Sequence, residues 1–298
     1  MNSCFDGKYA DMTLGTLYVV ATPIGNLADW SERARLTVAS VTRVFAEDTR
    51  VSATLLAHYG IKTPLASLNA HNESDRIAPV LAALQAGYSV ALISDAGTPA
   101  VSDPGARVVA AARAAGATVV PIPGANAAIA ALSASGIDGP FLFLGFLPAR
   151  SAARQAVVAE HAHGQYALVI YEAPHRVAET IEDLVLVLAV DRQIVIAREI
   201  TKKFETIAVM ALGDAPQWVA ADANRTRGEF VLIVSAAAVN IDTDNVKREG
   251  DRVLGVLLAE LPLKQAVNLA VAITGGKKND LYERALELKA ERAMPDAS

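Results

Sequence analysis

The chain has 298 residues, 52% hydrophobic but only 5% aromatic. That supplies one large core or two ordinary ones, and a palette led by Ala, Val and Leu suits α/β layers better than an all-β sandwich. A formal net charge of -5 excludes a globally basic polyanion binder, so any nucleic-acid site has to be a local basic patch.

Residues 1–15 are polar and expected to be a flexible tail. The opening MNSCFDGKYADM lacks the apolar core of a secretory signal, and Met1 and Met12 are alternative starts. Cys4 is the only cysteine, which rules out internal disulfides and cysteine zinc sites and fits a reducing, cytoplasmic setting. No apolar run approaches the ~20 residues that span a bilayer, so no membrane partner is expected.

From Thr16 the chain alternates strand-like runs with helical ones. TLYVVA (16–21), RVFAE (43–47), TPLASLN (63–69), YSVALIS (88–94) and TVVPIP (118–123) read as strands. The stretches SERARLTVAS, TRVSATLLAHYG, NESDRIAPVLAALQAG, GARVVAAARAAG and ANAAIAALSASG read as helices, four of them ending at or just before Gly60, Gly87, Gly116 and Gly136. This alternation predicts an N-terminal α/β domain over 16–138 with a mainly parallel sheet buried on both faces. The proline-flanked run DGPFLFLGFLPARS (138–151) reads as a break. A second α/β domain is expected over 139–237, with strands YALVIYE (166–172), QIVIARE (193–199), FETIAVMAL (204–212) and EFVLIVS (229–235). Helices are expected there at 151–161, 175–189 and 215–223. Only ITKK separates the strands 193–199 and 204–212, which predicts a hairpin and a mixed sheet.

AAAVNIDTDN (236–245) reads as a linker, and 245–298 as a small helical extension. LPLKQAVNLAVAI, the turn TGGKKND and LYERALELKAER outline a helix-turn-helix, although a plain helical cap fits the same pattern. This segment carries nine Lys/Arg against eight Asp/Glu, and Lys277-Lys278 stand where a helix start also favours phosphate.

In a doubly wound sheet ligands lie beyond the C-terminal ends of the strands, where every conspicuous motif falls. These are TPIGNLADWSERA, AEDTR, NAHNES, SDAGTPAVSDPG and PIPGANAA, in strand order. Each also has a plain structural use. Asp29 or Ser31 can cap a helix, and Gly25-Asn26 can be a turn. Asp48 or Thr49 can cap the helix after AEDTR with a surface ion pair, and HNES can start the helix 74–86. SDPG predicts Asp103 as an N-cap with Pro104 in first helical position. SDAGTP lies too far ahead of that helix for this use, so ligand contact is the better reading of it. Neither GxGxxG after the first strand nor GxxxxGK[ST] is present. The five His residues show no metal spacing, so no metal site is expected. Glu47, Asp48 and Arg50, then His71, Asn72 and Glu73, then His175-Arg176 and Lys202-Lys203 are the polar residues with possible catalytic use.

Taken in order, LYVVATPIGNLAD, FAEDTR, HNE, ALISDAGTPAVSDPG, PIPGANAAIAALSASG, FLFLGFLP, YEAPHR, REITKKFET and RGEFVLIV resemble the ribosomal RNA small-subunit methyltransferase I family, within the tetrapyrrole-methylase-like superfamily. The resemblance covers residues 16 to 292. It departs mildly from the familiar pattern, with Pro-Gly-Ala at 123–125 in place of Pro-Gly-Pro and Asn69 before Ala70-His71. It implies two tetrapyrrole-methylase-type domains with S-adenosyl-L-methionine between them. It further implies a homodimer acting on the ribose 2′-oxygen of a cytidine in the decoding centre of 16S rRNA, in the small ribosomal subunit.

By position, Gly97-Thr98-Pro99 matches the superfamily's Gly-Asp-Pro cofactor loop, continued by Val101 and Ser102. Ala125, Asn126 and Ala127 match a second loop, and Tyr171-Glu172 the contribution of the second domain. Pro23, Gly25 and Asp95 are further cofactor candidates. Asp48, His71 or Glu73 is expected to assist deprotonation of the hydroxyl, while Arg50, Arg176 and Lys202 hold phosphates. Lys202, Lys203, Arg225, Arg227, Lys277 and Lys278 are expected to share one face. The other readings are a small-molecule (tetrapyrrole or precorrin-type) methylase and a non-catalytic ribosome-binding factor that retains the cofactor pocket.

Overall fold

A computed structural model describes residues 14–238 and 243–293, and the expected tail 1–15 lies almost wholly outside them. The chain divides into two compact units, Met1–Ala236 and Ala237–Ser298.

The first unit contains two five-stranded sheets. Strands β1 (Thr16–Val20), β2 (Arg43–Ala46), β3 (Leu65–Ser67), β4 (Val90–Ile93) and β5 (Thr118–Ile122) form an all-parallel sheet in the order β3-β2-β4-β1-β5. The β1 register, Tyr18 opposite Ala91 on one side and Val120 on the other, fixes its centre. Helices α1 (Glu32–Ser40), α2 (Thr49–His58), α3 (Glu73–Gln85), α4 (Ala106–Ala114) and α5 (Ala127–Ser135) follow the strands in turn. Parallel strands covered on both faces must be apolar throughout, and all four residues of β4 are buried. Val44, Ala91 and Ile93 pack on one face, Leu17, Phe45 and Leu92 on the other.

The second sheet runs β6 (Phe141–Phe146), β7 (Ala167–Glu172), β10 (Phe230–Val234), β8 (Gln193–Arg198), β9 (Thr206–Ala211). It is mixed, with β6 parallel to β7 and the remaining pairs antiparallel. The sequence pattern assigns no strand within residues 138–151, yet Phe141–Phe146 forms strand β6 of the second sheet. Its apolar run joins the sheet edge, with a register shift between Phe143 and Gly145. Helices α6 (Ser151–Ala159), α7 (Val177–Val187) and α8 (Ala215–Ala220) cover one face, and α5 reaches over to pack on the other. All five β10 side chains are buried, each worth about 1.5–3 kcal/mol where large and apolar.

The second unit is helical throughout its described residues: α9 (Thr243–Glu260), α10 (Leu263–Thr274) and α11 (Lys278–Ala293). The expected linker 236–245 includes residues 239–242, outside the described set, but Thr243 already opens α9. Val253, Leu254, Val267, Ala270, Leu281 and Ala285 make its core, and Arg284 grips Asp251 through two bonds of 2.8 and 2.9 Å. No helix among the described residues is long and apolar enough to cross a membrane.

Candidate functional site

The loop after β4 is held at three points. Gly97 exchanges two backbone bonds with Thr22, of 2.8 and 3.1 Å, in an isolated antiparallel bridge. The Thr98 hydroxyl donates to the Ala125 carbonyl at 3.1 Å, tying this loop to the one after β5. Glu73 Oε1, at the start of α3, accepts from the amides of Gly105 (2.9 Å) and Arg107 (3.0 Å). Between these anchors Ala100 and Ser102 adopt φ of 65° and 66°, the left-handed region. Each costs a non-glycine residue about 1–3 kcal/mol, a cost that tends to be met where function requires it. A Cβ at Gly105, φ 129°, would lie 2.5 Å from Leu92 Cδ2. From the second sheet, Gly145 comes so near that a Cβ there would lie 2.9 Å from Ser102 Oγ.

Together these loops and the second sheet enclose a cavity of about 440 Å³. Of the residues expected to hold a cofactor, Asp95, Gly97, Thr98, Val101, Ser102, Asn126, Ala127, Tyr171 and Glu172 line it. Pro23, Gly25, Pro99 and Ala125 do not. Pro23 and Pro99 are buried beside the lining, and Ala125 is the acceptor for Thr98. Gly25 instead meets Lys202, whose Cγ would be 2.4 Å from any Cβ added there. The Tyr171 hydroxyl accepts from the Ala128 amide at 3.2 Å, fixing the start of α5.

The six candidate catalytic residues lie off the cavity wall. Asp48 caps α2, accepting from the Arg50 amide at 2.8 Å and pairing with the Arg50 guanidinium at 2.5 Å. Those bonds pull its carboxyl down to about 2, and the Arg50 side chain is 89% exposed. Glu73 is occupied at α4, and His71 is an exposed residue whose amide donates to Asn69 Oδ1 at 3.1 Å. Arg176 donates to the carbonyls of Leu147 and Pro148 (2.8 and 3.1 Å), with Nε 3.3 Å from Glu172. Lys202 sits between Glu199 and Glu229, at 3.0 and 2.8 Å. Burial lowers its ammonium pKa, but the two carboxylates outweigh that and raise it. Arg176 and Lys202 are thus already paired inside the protein.

Eleven wall residues lie outside the expected cofactor set, and three of them bear on the chemistry. Glu47 stands one residue before Asp48, and Phe146 belongs to β6. The third, Asp103, is not the N-cap of α4: Gly105 holds that position and Glu73 supplies the bonds. Burial, then the neighbouring Glu47 and Asp95, push Asp103 up to about 6 against a weaker pull from the Ser94 hydroxyl. Burial also raises Glu47 and Asp95. Among the described residues, no three His, Cys, Asp or Glu side chains converge as metal ligands would.

Of the basic residues expected on one face, Lys203 and Arg227 are exposed near the β8–β9 turn. Arg198 bridges this region, donating to the carbonyls of Arg227 and Phe204. Arg225 is folded over Trp218, 4.3 Å from the ring centre, and donates to its carbonyl. Lys277 and Lys278 belong to the helical unit, at the entry to α11.

Comparison with known proteins agrees with this geometry. The profile of the Tetrapyrrole (Corrin/Porphyrin) Methylases matches residues 16–216, and that of the RsmI C-terminal HTH domain residues 244–289. Ribosomal RNA small subunit methyltransferase I of Pseudomonas aeruginosa is 48% identical over 277 residues, covering 93% of this chain and 98% of the relative. The protein of the same name from Escherichia coli O157:H7 is 46% identical over 279 residues, covering 93% and 97%. Among solved structures, the methyltransferase CobJ superposes with a TM-score of 0.56 at 21% identity, over 75% of this chain and 95% of its own. A uroporphyrin-III-C-methyltransferase from Thermus thermophilus gives 0.52 at 20%, over 74% and 94%. Those two structures share the two-sheet fold.

Proposed function

The chain belongs to the ribosomal RNA small subunit methyltransferase I family of the tetrapyrrole methylases, and from that premise we propose that it methylates the ribose 2′-oxygen of a cytidine in the decoding centre of 16S rRNA. The donor in this reading is S-adenosyl-L-methionine, and the enzyme works as a cytoplasmic homodimer on the small ribosomal subunit. One observation carries the donor site: a cavity walled on one side by a strained, small-residue loop and on the other by the second sheet.

The residues present fit such a donor. The cavity volume falls in the range of small-molecule sites. Ser102 and Ala127 bring small side chains to the wall, and Val101 and Phe146 face the cavity while 37% and 57% exposed, offering apolar surface. A ligand that carries a sulfonium and an ammonium suits a wall bearing Glu47 and Asp95. When bound, S-adenosyl-L-methionine supplies a methyl carbon made electrophilic by the positive sulfur.

The protein's part is alignment and proton handling. The Thr98–Ala125 and Tyr171–Ala128 bonds fix both loops before any ligand enters, so the geometry of an in-line displacement is set in advance. With Arg176 and Lys202 paired internally, phosphate contacts fall to the exposed Lys203 and Arg227 and, in the helical unit, to Lys277 and Lys278 at a helix start. Mapping ribose methylation in 16S rRNA from a strain lacking this gene tests the reading. Loss of methyl at one cytidine is expected, and an unchanged map would overturn it.

A further inference from the structure

The sequence SDPG suggests an Asp whose carboxylate caps the free amides of a helix's first turn. Asp103 does not cap them. Glu73, from α3, has taken the Gly105 and Arg107 amides, while the positive φ values of Ser102 and Gly105 carry Asp103 onto the cavity wall. The carboxylates around it are engaged elsewhere. Asp95 accepts the Asp48 amide at 2.9 Å, and Glu47 the Asp95 amide at 3.5 Å. Across the cavity, Glu172 accepts from the Ala173 amide and the Thr180 hydroxyl, and Glu229 holds Lys202. Tyr171 lines the same cavity, and its hydroxyl accepts from Ala128. Among the described residues, Asp103 is the carboxylate on this wall that accepts from neither a backbone amide nor a cation, with the Ser94 hydroxyl its one hydrogen-bonding influence.

Resting on the methyl-transfer reading above, we propose that Asp103, turned from its own helix into the cavity, is the catalytic residue that accepts the proton of the ribose 2′-hydroxyl. The proton passes to a carboxylate oxygen of Asp103 as the hydroxyl oxygen's electron pair forms the new bond to the donated methyl carbon. The old carbon–sulfur pair stays on sulfur, leaving a neutral thioether, and the proton then leaves Asp103 for solvent. A base that titrates near the working pH combines the ionised form with useful proton affinity, and burial beside Glu47 and Asp95 moves Asp103 in that direction.

Asp103→Asn keeps the shape and removes the basicity. Calorimetric affinity for S-adenosyl-L-methionine should stay within about threefold of wild type, while single-turnover transfer to 30S subunits should fall by about a hundredfold or more. The wild-type rate should rise with pH through one ionisation that the variant lacks. Independently of activity, the Asp103 carboxyl carbon of the protein alone, followed by NMR, should titrate near 6, above the ordinary Asp range. Turnover within threefold of wild type, an ordinary Asp titration, or a loss of donor binding that matches the loss of rate would each overturn the proposal. Failure of the wild type itself to bind the donor or methylate 30S subunits would instead overturn the function on which it rests.

Discussion

Asp48 and Asp103 stand in equivalent places, each between a strand of the parallel sheet and the helix that follows, yet they end in opposite chemical states. Asp48 is extended (φ -117°, ψ 112°), caps α2 and is drawn down to about 2 by Arg50. Asp103 follows a left-handed Ser102, caps nothing and is pushed up to about 6 by burial and by Glu47. The residue type is the same, but Asp48 directly precedes its helix while Asp103 stands ahead of Pro104 and Gly105, three residues before α4. A tertiary partner adds to that difference: Glu73, thirty residues away, satisfies the amides at the start of α4. Whether an Asp ahead of a helix is a cap or a reagent is therefore decided by spacing and tertiary structure together.

The largest effect is expected at the loop itself. Thr98→Trp places an indole where the hydroxyl now sits 3.1 Å from Ala125, and should weaken binding of S-adenosyl-L-methionine more than a hundredfold by calorimetry. Normal binding by that variant would reduce residues 94–99 to a turn. Glu73→Ala uncaps α4 and should cost about 1–2 kcal/mol in urea unfolding, with weaker donor binding because the loop loses an anchor.

Asp103→Asn should act in the other direction on stability. Below pH 3.8 both the folded and the unfolded chain hold this proton; as pH climbs toward 6 the unfolded chain releases it first, which disfavours the fold, and the penalty is complete above 6. The variant should be more stable than wild type at pH 7.5, by about 1 kcal/mol after solvent screening of a half-exposed group, and no more stable at pH 3.5. Equal melting curves at both pH values would deny that Asp103 is perturbed. The smallest effect is expected at Arg50: Arg50→Ala removes an exposed, solvent-screened pair and should leave the urea unfolding midpoint essentially unchanged.

Much of this architecture was legible in the residues. The five strands of the parallel sheet and the hairpin β8–β9 follow from short β-branched runs punctuated by Gly and Asn, because periodicity and turn chemistry are local. Strand β6 was not legible: prolines flank FLFLGF, a glycine interrupts it, and its pairing with Ala167–Glu172 is a long-range fact. In the helical unit the polar start of α9 reads like linker until Val253 and Leu254 find α10 and α11. At the site, the glycine- and alanine-rich loops declared themselves as places where backbone meets ligand. Single acidic residues did not. AEDTR offers Glu47, Asp48 and Arg50 alike, and of the three only Glu47 reaches the cavity. SDPG reads as a helix start because nothing in those four residues announces Glu73.

The most direct measurement is transfer by the purified chain from methyl-labelled S-adenosyl-L-methionine to 30S subunits taken from a strain without this gene, followed by nuclease digestion and identification of the labelled nucleoside. Label is expected as 2′-O-methylcytidine at a single position of 16S rRNA. Label on a base, or RNA without label while the donor binds normally, would contradict the proposed function.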